Sequence, residues 1–229
     1  MTSTFSPIPS NTNVYLEPGA VILGGFIVQN AENVTISGHG IITQRGIHRY
    51  SSINGIRVSH SRNVRIDGLT FLNPAHYTVH LGGSENIIVR GIRSFSCEGW
   101  SDGIDMMSCS NVHIDRCFLR TSDDCIAIYG SRWEYTGNTS DVLVENCTLW
   151  ADVAHPTNIG THGDSAPGRR IEHVTFRNIH CDCLQPVSST IAGYGEMNRV
   201  SDVTLENVNV CGKTAEVQVG AYADEIKQL

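Results

Sequence analysis

A chain of 229 residues can build one domain with a substantial core or two small ones, and nothing in its composition marks a linker. Charged residues make up only 17%, glycines number 22, and Leu-Ala-Glu-Lys helical stretches are nearly absent, so an all-β chain with little helix is expected. A formal charge of −7 leaves no basic stripe for nucleic acid and disfavours a polyanionic partner unless the cleft itself is locally positive.

The chain opens on Met1-Thr2-Ser3-Thr4-Phe5, which has neither the basic start nor the apolar core of a signal peptide, and no apolar run reaches the length of a membrane span. As written, the sequence implies a cytoplasmic chain, or a secreted one if a signal has been removed. Val14-Tyr-Leu-Glu-Pro-Gly-Ala-Val21 follows. From there a short phrase recurs: Asn33-Val-Thr-Ile36, Asn63-Val-Arg-Ile66, Asn86-Ile-Ile-Val89, Asn111-Val-His-Ile114, Asp141-Val-Leu-Val144, His173-Val-Thr-Phe176 and Asp202-Val-Thr-Leu205. The intervals between first residues are 30, 23, 25, 30, 32 and 29.

Period-2 alternation in short pieces means strands, and repetition at this spacing means one coil per repeat. The expected fold is a single-stranded parallel β-helix of about seven coils. It forms one domain over residues 1–229, without a full N-terminal cap and with fewer C-terminal coils than a long solenoid. Val, Ile and Leu of successive coils should stack inside at about the 4.8 Å strand spacing. The Asn or Asp opening each phrase should form a side-chain ladder that satisfies turn backbone groups, which makes the Asn-x-Thr sites at Asn33 and Asn146 poor glycosylation candidates. An antiparallel sandwich would place turns every 8 to 12 residues or so without a repeated phrase. Tyr129 to Asn138 reads as an inserted surface loop. Residues 221–229 read as a cap on one end of the stack, helical or supplied with help from a second copy of the chain.

Eight cysteines (Cys97, Cys109, Cys117, Cys125, Cys147, Cys181, Cys183 and Cys211) lack a compact disulfide framework and zinc-ligand spacing, so buried free thiols are expected and no metal site is. Cys117 and Cys147 hold the same place in neighbouring phrases and should stack.

The chemistry concentrates in Trp100-Ser-Asp-Gly-Ile-Asp105 and Ser122-Asp-Asp-Cys-Ile-Ala-Ile128, which hold four carboxylates within 23 residues. Alignment of Val79–Leu81, Ile104–Met106, Ile126–Ile128, Ile159–Thr161 and Ile191–Gly193 puts Asp102 and Asp124 two residues before equivalent isoleucines. They become stacked neighbours with Asp123 beside them. Carboxylates so close cannot all ionise freely, and hydrolysis of a glycosidic bond requires carboxyl groups in different protonation states. His76, His80, Trp100, Tyr129 and His155 fall at nearby positions and are candidate sugar contacts, since sugars stack on aromatic faces while polar groups fix their hydroxyls. Taken one at a time, each of these is as readily a core or surface residue.

Ser101-Asp-Gly-Ile-Asp105 resembles the Asn-Thr-Asp-Gly-x-Asp motif of the polygalacturonase-like glycoside hydrolases, family 28, and Asp123-Asp124-Cys-Ile-Ala-Ile128 resembles that family's paired-Asp motif. Asn73-Pro74 is similar to its Asn-Ser-Pro segment. The resemblance covers about residues 14–210. It implies a right-handed parallel β-helix and inverting hydrolysis without metal or cofactor. Asp123 would be the general-acid candidate and Asp102 with Asp124 the water-activating pair, with Asp105 a further contact; the choice of donor between Asp123 and Asp124 stays open. The family's Gly-His-Gly corresponds by register to Ala154-His155-Pro156, with Thr161-His162-Gly163 a second candidate. The family's Arg-Ile-Lys should fall near Ser189 to Gly193, where no basic pair exists, so a neutral or differently charged poly- or oligosaccharide is expected rather than plain polygalacturonate. Two alternatives are a Ca²⁺-dependent polysaccharide lyase, with Asp102, Asp105, Asp123 and Asp124 as ligands and Arg120 as base, and a non-catalytic glycan-binding scaffold.

Overall fold

The computed structural model describes residues 4–51, 53–160, 169–182 and 189–229. Among them are 24 strands and a single turn of 3-10 helix, Arg49–Ser51. Every strand pairing is parallel except the short Lys213–Thr214 return against Asn209 and Val210. The parallel β-helix is thus the observed fold. Among the described residues, no helix is long and apolar enough to cross a membrane.

Each coil contributes strands to three faces. The second face carries the repeated phrase, and its register shows why the phrase recurs. Val34 pairs with Val64, Val64 with Ile87, Ile87 with Val112, Val112 with Val142, Val142 with Val174 and Val174 with Val203. All seven are buried, and so is the parallel column from Ile36 through Ile66, Val89, Ile114, Val144 and Phe176 to Leu205. A period of two sends these residues inward and the residues between them to solvent, so the core is a set of stacked apolar files rather than a central cluster.

The opening residue of each phrase is fixed by the backbone. Asn33, Asn63, Asn86, Asn111, Asp141, His173 and Asp202 all have φ between 50° and 57°, the left-handed region that Asn and Asp tolerate best. Their side chains form the expected ladder: Asn33 donates to Asn11 at 2.9 Å, Asn63 to Asn33 at 3.0 Å, Asn86 to Asn63 at 3.1 Å and Asn111 to Asn86 at 2.7 Å. A second ladder runs from Asn146 onto Asp115, Asn178 onto Asn146 and Asn207 onto Asn178. The side chains of Asn33 and Asn146 are therefore occupied as the sequence suggests.

Four expectations change. The phrase-bearing face stacks nine strands, from Asn13–Leu16 to Ala223–Gln228, because the terminal coils keep strand register without the phrase. Residues 223–228 form such a strand, parallel to Val200–Leu205, and are not a helical cap. Cys211 is disulfide-bonded, while Cys97, Cys109, Cys117, Cys125, Cys147 and Cys181 are free. The coil alignment holds for Val79, Ile104 and Ile126, yet Ile126 pairs with Thr157 and Ile128 with Ile159. The coil after Asp124 is thus shifted by two residues from the expected register, and Ile191 follows it by pairing with Ile159.

Residues 130–138 leave the first face and fold back over it as a small tab. A two-residue hairpin closes it, with Arg132 and Tyr135 exchanging backbone hydrogen bonds of 3.0 and 3.1 Å. Tyr135 is 1% exposed and sits over Gly82, where a Cβ would come within 2.1 Å of the ring. Its hydroxyl lies 2.7 Å from Ser59 Oγ and accepts from Arg57 at 3.2 Å, and Arg57 also pairs with Glu134 at 2.7 Å. With Tyr77, Met107, Ala127 and Tyr129 it forms a small apolar cluster on the outside of the sheet. The insert expected at 129–138 lies at the surface, and Tyr135 anchors it to the coils beneath.

Candidate active site

The first face consists of Ile56–Ser59, Val79–Gly82, Ile104–Met107, Ile126–Tyr129, Thr157–Ile159 and neighbours in parallel register. Continued two residues ahead of each strand, that register stacks Tyr77, Asp102, Asp124 and His155 in one outward file, since inward positions are taken by Thr78, Gly103 and Cys125. Backbone bonds keep the file in step: Thr78 N–H to Asp102 O at 2.9 Å, Gly103 N–H to Asp124 O at 2.8 Å, and Cys125 N–H to His155 O at 3.0 Å. Gly103 has no room for a side chain, because a Cβ would lie 2.2 Å from the Cys125 carbonyl.

Asp123 joins from the adjoining turn. One carboxylate oxygen from each of Asp102, Asp123 and Asp124 lies within 4.8 Å of the others. The three line a cleft of about 460 Å³ together with His76, Tyr77, Trp100, Tyr129, Arg132 and Trp133. Trp100 and Trp133 are 44% and 50% exposed and both hold left-handed backbone, with φ of 66° and 56°. Bulky side chains rarely adopt that conformation, and it persists only where surroundings impose it. At Trp100 the restraint is an N–H bond to Asp123 Oδ2 at 3.2 Å and the Arg49 guanidinium 4.5 Å from the ring centroid. At Trp133 it is the tab, whose ring stacks on Tyr77 and His80 at 6.0 and 5.9 Å.

The carboxyl groups differ in environment. Burial pushes Asp102 well above the usual carboxylate range, and the charges of Asp105, Asp123 and Asp124 add to it. Asp124 is also raised by burial, against two donors that favour its ionised form: His155 N–H at 2.9 Å and the Asn158 amide at 2.8 Å. Asp105 is fully buried beneath the file, raised well above its ordinary value by burial and by Asp124, and neither oxygen has a hydrogen-bond partner. Asp102, Asp105 and Asp124 therefore hold their protons to higher pH than free carboxyl groups do. Burial lowers His76 to about 4 and His80 to about 3, so both imidazoles are neutral.

The candidates named from sequence separate clearly. Asp102, Asp123, Asp124, His76, Trp100 and Tyr129 line one cleft. Asp105 does not reach it, because an odd-numbered step along Ile104–Met107 puts it under Tyr77 and Tyr129 rather than at the rim. His80 is 3% exposed and borders a neighbouring hollow with Asn54, Arg57, His76 and Trp133. His155 supports Asp124 through its main chain, one coil on. His162 lies outside the described residues. Arg120, the alternative lyase base, is held by Asp152 at 3.2 and 3.3 Å and by the Trp150 ring, away from the cleft lining. Sequence reasoning missed Tyr77, Arg132, Trp133 and Asn158. A signal existed for the middle pair: Arg-Trp-Glu-Tyr is an aromatic-rich insert directly after the Asp-Asp strand. The three clustered carboxylates are also a spacing that a divalent cation can bridge.

Comparison with known proteins gives the family and the fold. The family model described as glycosyl hydrolases family 28 matches residues 26–210. The chain belongs to glycoside hydrolase family 28. Family 28 relatives include a probable polygalacturonase of Vitis vinifera, 30% identical over 213 residues, 87% of this chain and 37% of that protein. A probable polygalacturonase of Arabidopsis thaliana is 26% identical over 77% of this chain and 39% of its own length. The chain thus spans well under half the length of these relatives. Among solved structures, the family 28 exopolygalacturonase of Yersinia enterocolitica has a TM-score of 0.65 at 14% identity, covering 97% of this chain and 63% of its own. The Streptococcus pneumoniae surface adhesin PfbA has a TM-score of 0.62 at 14% identity, covering 99% of this chain and 86% of its own. An adhesin and a hydrolase share these coils, so the fold alone does not select between them.

Proposed function

We propose that this chain hydrolyses an O-glycosidic bond in a poly- or oligosaccharide by acid–base catalysis with Asp102, Asp123 and Asp124. The observation that carries the reading is the meeting of three carboxyl groups from two stacked coils, within 4.8 Å, in a cleft walled by two exposed tryptophans. A scaffold that only bound glycans would have no use for three buried or half-buried carboxyls set against one another.

The roles follow from the environments. Asp124, held by His155 N–H and the Asn158 amide, is the member best kept as a carboxylate, so it orients and deprotonates the attacking water. Asp102 is the member that burial keeps protonated. Asp123 lies at the half-exposed edge and donates the proton to the leaving oxygen, as the family resemblance implies. Asp102 and Asp123 are close enough to pass that proton through one water. The carboxyl spacing is shorter than the about 6.5–9.5 Å of a two-carboxylate inverting site. Inversion remains our reading because the family resemblance implies it.

The test is a panel of neutral and acidic glycans assayed with the parent protein and with Asp123→Asn. Removal of a general acid should lower kcat by about 10²–10⁴-fold. Equal activity of the two proteins on every cleaved substrate would remove Asp123 from the mechanism. In the same assay, NMR of the first anomer released reports inversion or retention. Loss of activity in chelator together with an unsaturated product would replace hydrolysis by the cation-dependent lyase.

A further inference from the structure

A second hollow, of about 220 Å³, lies beside the cleft and is lined by Asn54, Arg57, His76, His80 and Trp133. It shares His76 and Trp133 with the cleft, so the two spaces adjoin. Arg57 and His80 are paired neighbours on the first face, Asn54 belongs to the segment that leads into Ile56–Ser59, and Trp133 comes from the tab. Among the described residues, no carboxylate lines this hollow.

Two observations set it apart from a packing gap. His80 is only 3% exposed, yet among the described residues neither its Nε2 nor His76 Nδ1 has a hydrogen-bond partner. A buried, unpaired ring nitrogen is costly, whereas a phenyl ring in the same contacts with Tyr77, Trp133 and Tyr135 would carry no such cost. Two imidazoles bordering one hollow, each short of a partner, are the arrangement expected where a ligand brings the missing hydrogen bonds. The second observation concerns charge. The Arg57 guanidinium is engaged by Glu134 at 2.7 Å and by the Tyr135 hydroxyl at 3.2 Å, and both imidazoles are neutral. A carboxylate entering here would lose its water and meet no uncompensated cation. A sugar hydroxyl both donates and accepts, so it matches an imidazole nitrogen in either tautomer, and the C–H face of a sugar suits a partly exposed indole such as Trp133.

We propose that this hollow binds one neutral pyranose unit of the glycan, adjoining the unit held over the aspartates, with His80 and His76 as its hydrogen-bonding partners. The proposal rests on the cleft being a glycan site, as argued above, and it specifies a neutral unit at this position whatever the charge of the sugar that is cleaved. His80 is a specificity residue and takes no part in proton transfer.

Binding separates this inference from catalysis. The matched probes are methyl galactopyranoside and methyl galactopyranosiduronate, which differ by a hydroxymethyl group against a carboxylate. Ring-nitrogen NMR of histidine-labelled Asp123→Asn protein near neutral pH reads His80, which borders the hollow and not the cleft. The neutral glycoside should shift the His80 signals saturably, and the uronate should need about tenfold more ligand or greater for the same shift. That comparison requires no variant at residue 80. His80→Phe keeps a ring and loses the nitrogen; followed at the Trp133 indole, its affinity for the neutral glycoside should fall about threefold to tenfold, the worth of one neutral hydrogen bond, and His80→Gln should recover part of it. A His80 that gives no saturable response to the neutral glycoside would overturn the proposal and assign the hollow to water. So would a uronate that acts at the same concentration, or a His80→Phe protein with unchanged affinity. A responding His80 in a protein whose parent form cleaves no glycan leaves the inference standing and removes the hydrolase reading; cleavage with a silent His80 does the reverse.

Discussion

Replacing Gly82 by alanine tests whether the tab is anchored as described. The backbone of Gly82 is not left-handed, so only space is at stake. A Cβ there would come 2.1, 2.3 and 2.5 Å from three ring atoms of Tyr135, far inside contact distance. The ring cannot slide sideways without giving up Ser59 Oγ at 2.7 Å and Arg57 at 3.2 Å. Overpacking of this kind costs about 1–3 kcal/mol. Removing the ring by Tyr135→Ala costs more, about 3–5 kcal/mol for a buried aromatic held in place. The double variant is the decisive one. With the ring gone the three closest contacts of the new methyl are removed, so Gly82→Ala should add little to Tyr135→Ala, a coupling of about 1–3 kcal/mol for two residues in contact. Urea unfolding followed by circular dichroism gives the energies, and tryptophan fluorescence reports the tab through Trp133. Activity should fall in Gly82→Ala because Arg132 and Trp133 move with Tyr135. Additive costs in the double variant would show that the Tyr135 ring does not occupy this notch.

Two further outcomes follow from burial. His76 and His80 titrate near 6.5 when exposed but at about 4 and about 3 in the native protein; the folded state refuses protons the unfolded chain accepts, so stability should decline as pH falls from 6.5 toward 3. His80→Phe, which keeps a ring among Trp133, Tyr77 and Tyr135, should flatten that decline in melting temperature, and an unchanged slope would refute the assignment. Asp102 and Asp105 act in the opposite sense, since their raised native values make their contribution greatest in acid and lost as pH rises through those values; Asp105→Asn should therefore raise the melting temperature most at neutral and alkaline pH. Among the described free cysteines Cys97 alone is exposed, so brief native-state alkylation and peptide mapping should label Cys97 and spare Cys109, Cys117, Cys125, Cys147 and Cys181; equal labelling of the latter would mean that the apolar files open readily.

The coils were legible because one backbone conformation recurs. Each phrase begins at a left-handed residue, Asn and Asp tolerate that conformation, and the inward Val and Ile two and four positions apart follow from strand geometry. The terminal coils escaped notice for the same reason: Asn13–Leu16 and Ala223–Gln228 keep the pairing without the phrase. That Asp102 and Asp124 stack, with Asp123 beside them, is legible because coil register is a local property, shared by Ile104 and Ile126. The next coil slipped by two because Thr157 pairs with Ile126, and an alignment on apolar residues passes over a threonine. Arg132 and Trp133 were out of reach of any register argument. They belong to a segment that folds across coils instead of along one, and its anchor, Tyr135 over Gly82, joins residues that no periodicity relates.

The file Tyr77–Asp102–Asp124–His155 has one further implication. Its spacing is dictated by main-chain hydrogen bonds between rungs, so the distance between Asp102 and Asp124 is metered by the peptide backbone and not by how neighbouring side chains happen to fit. Substitutions in the apolar files can soften the solenoid without changing that distance, and the overlying tab can be exchanged for another without moving the rungs beneath it.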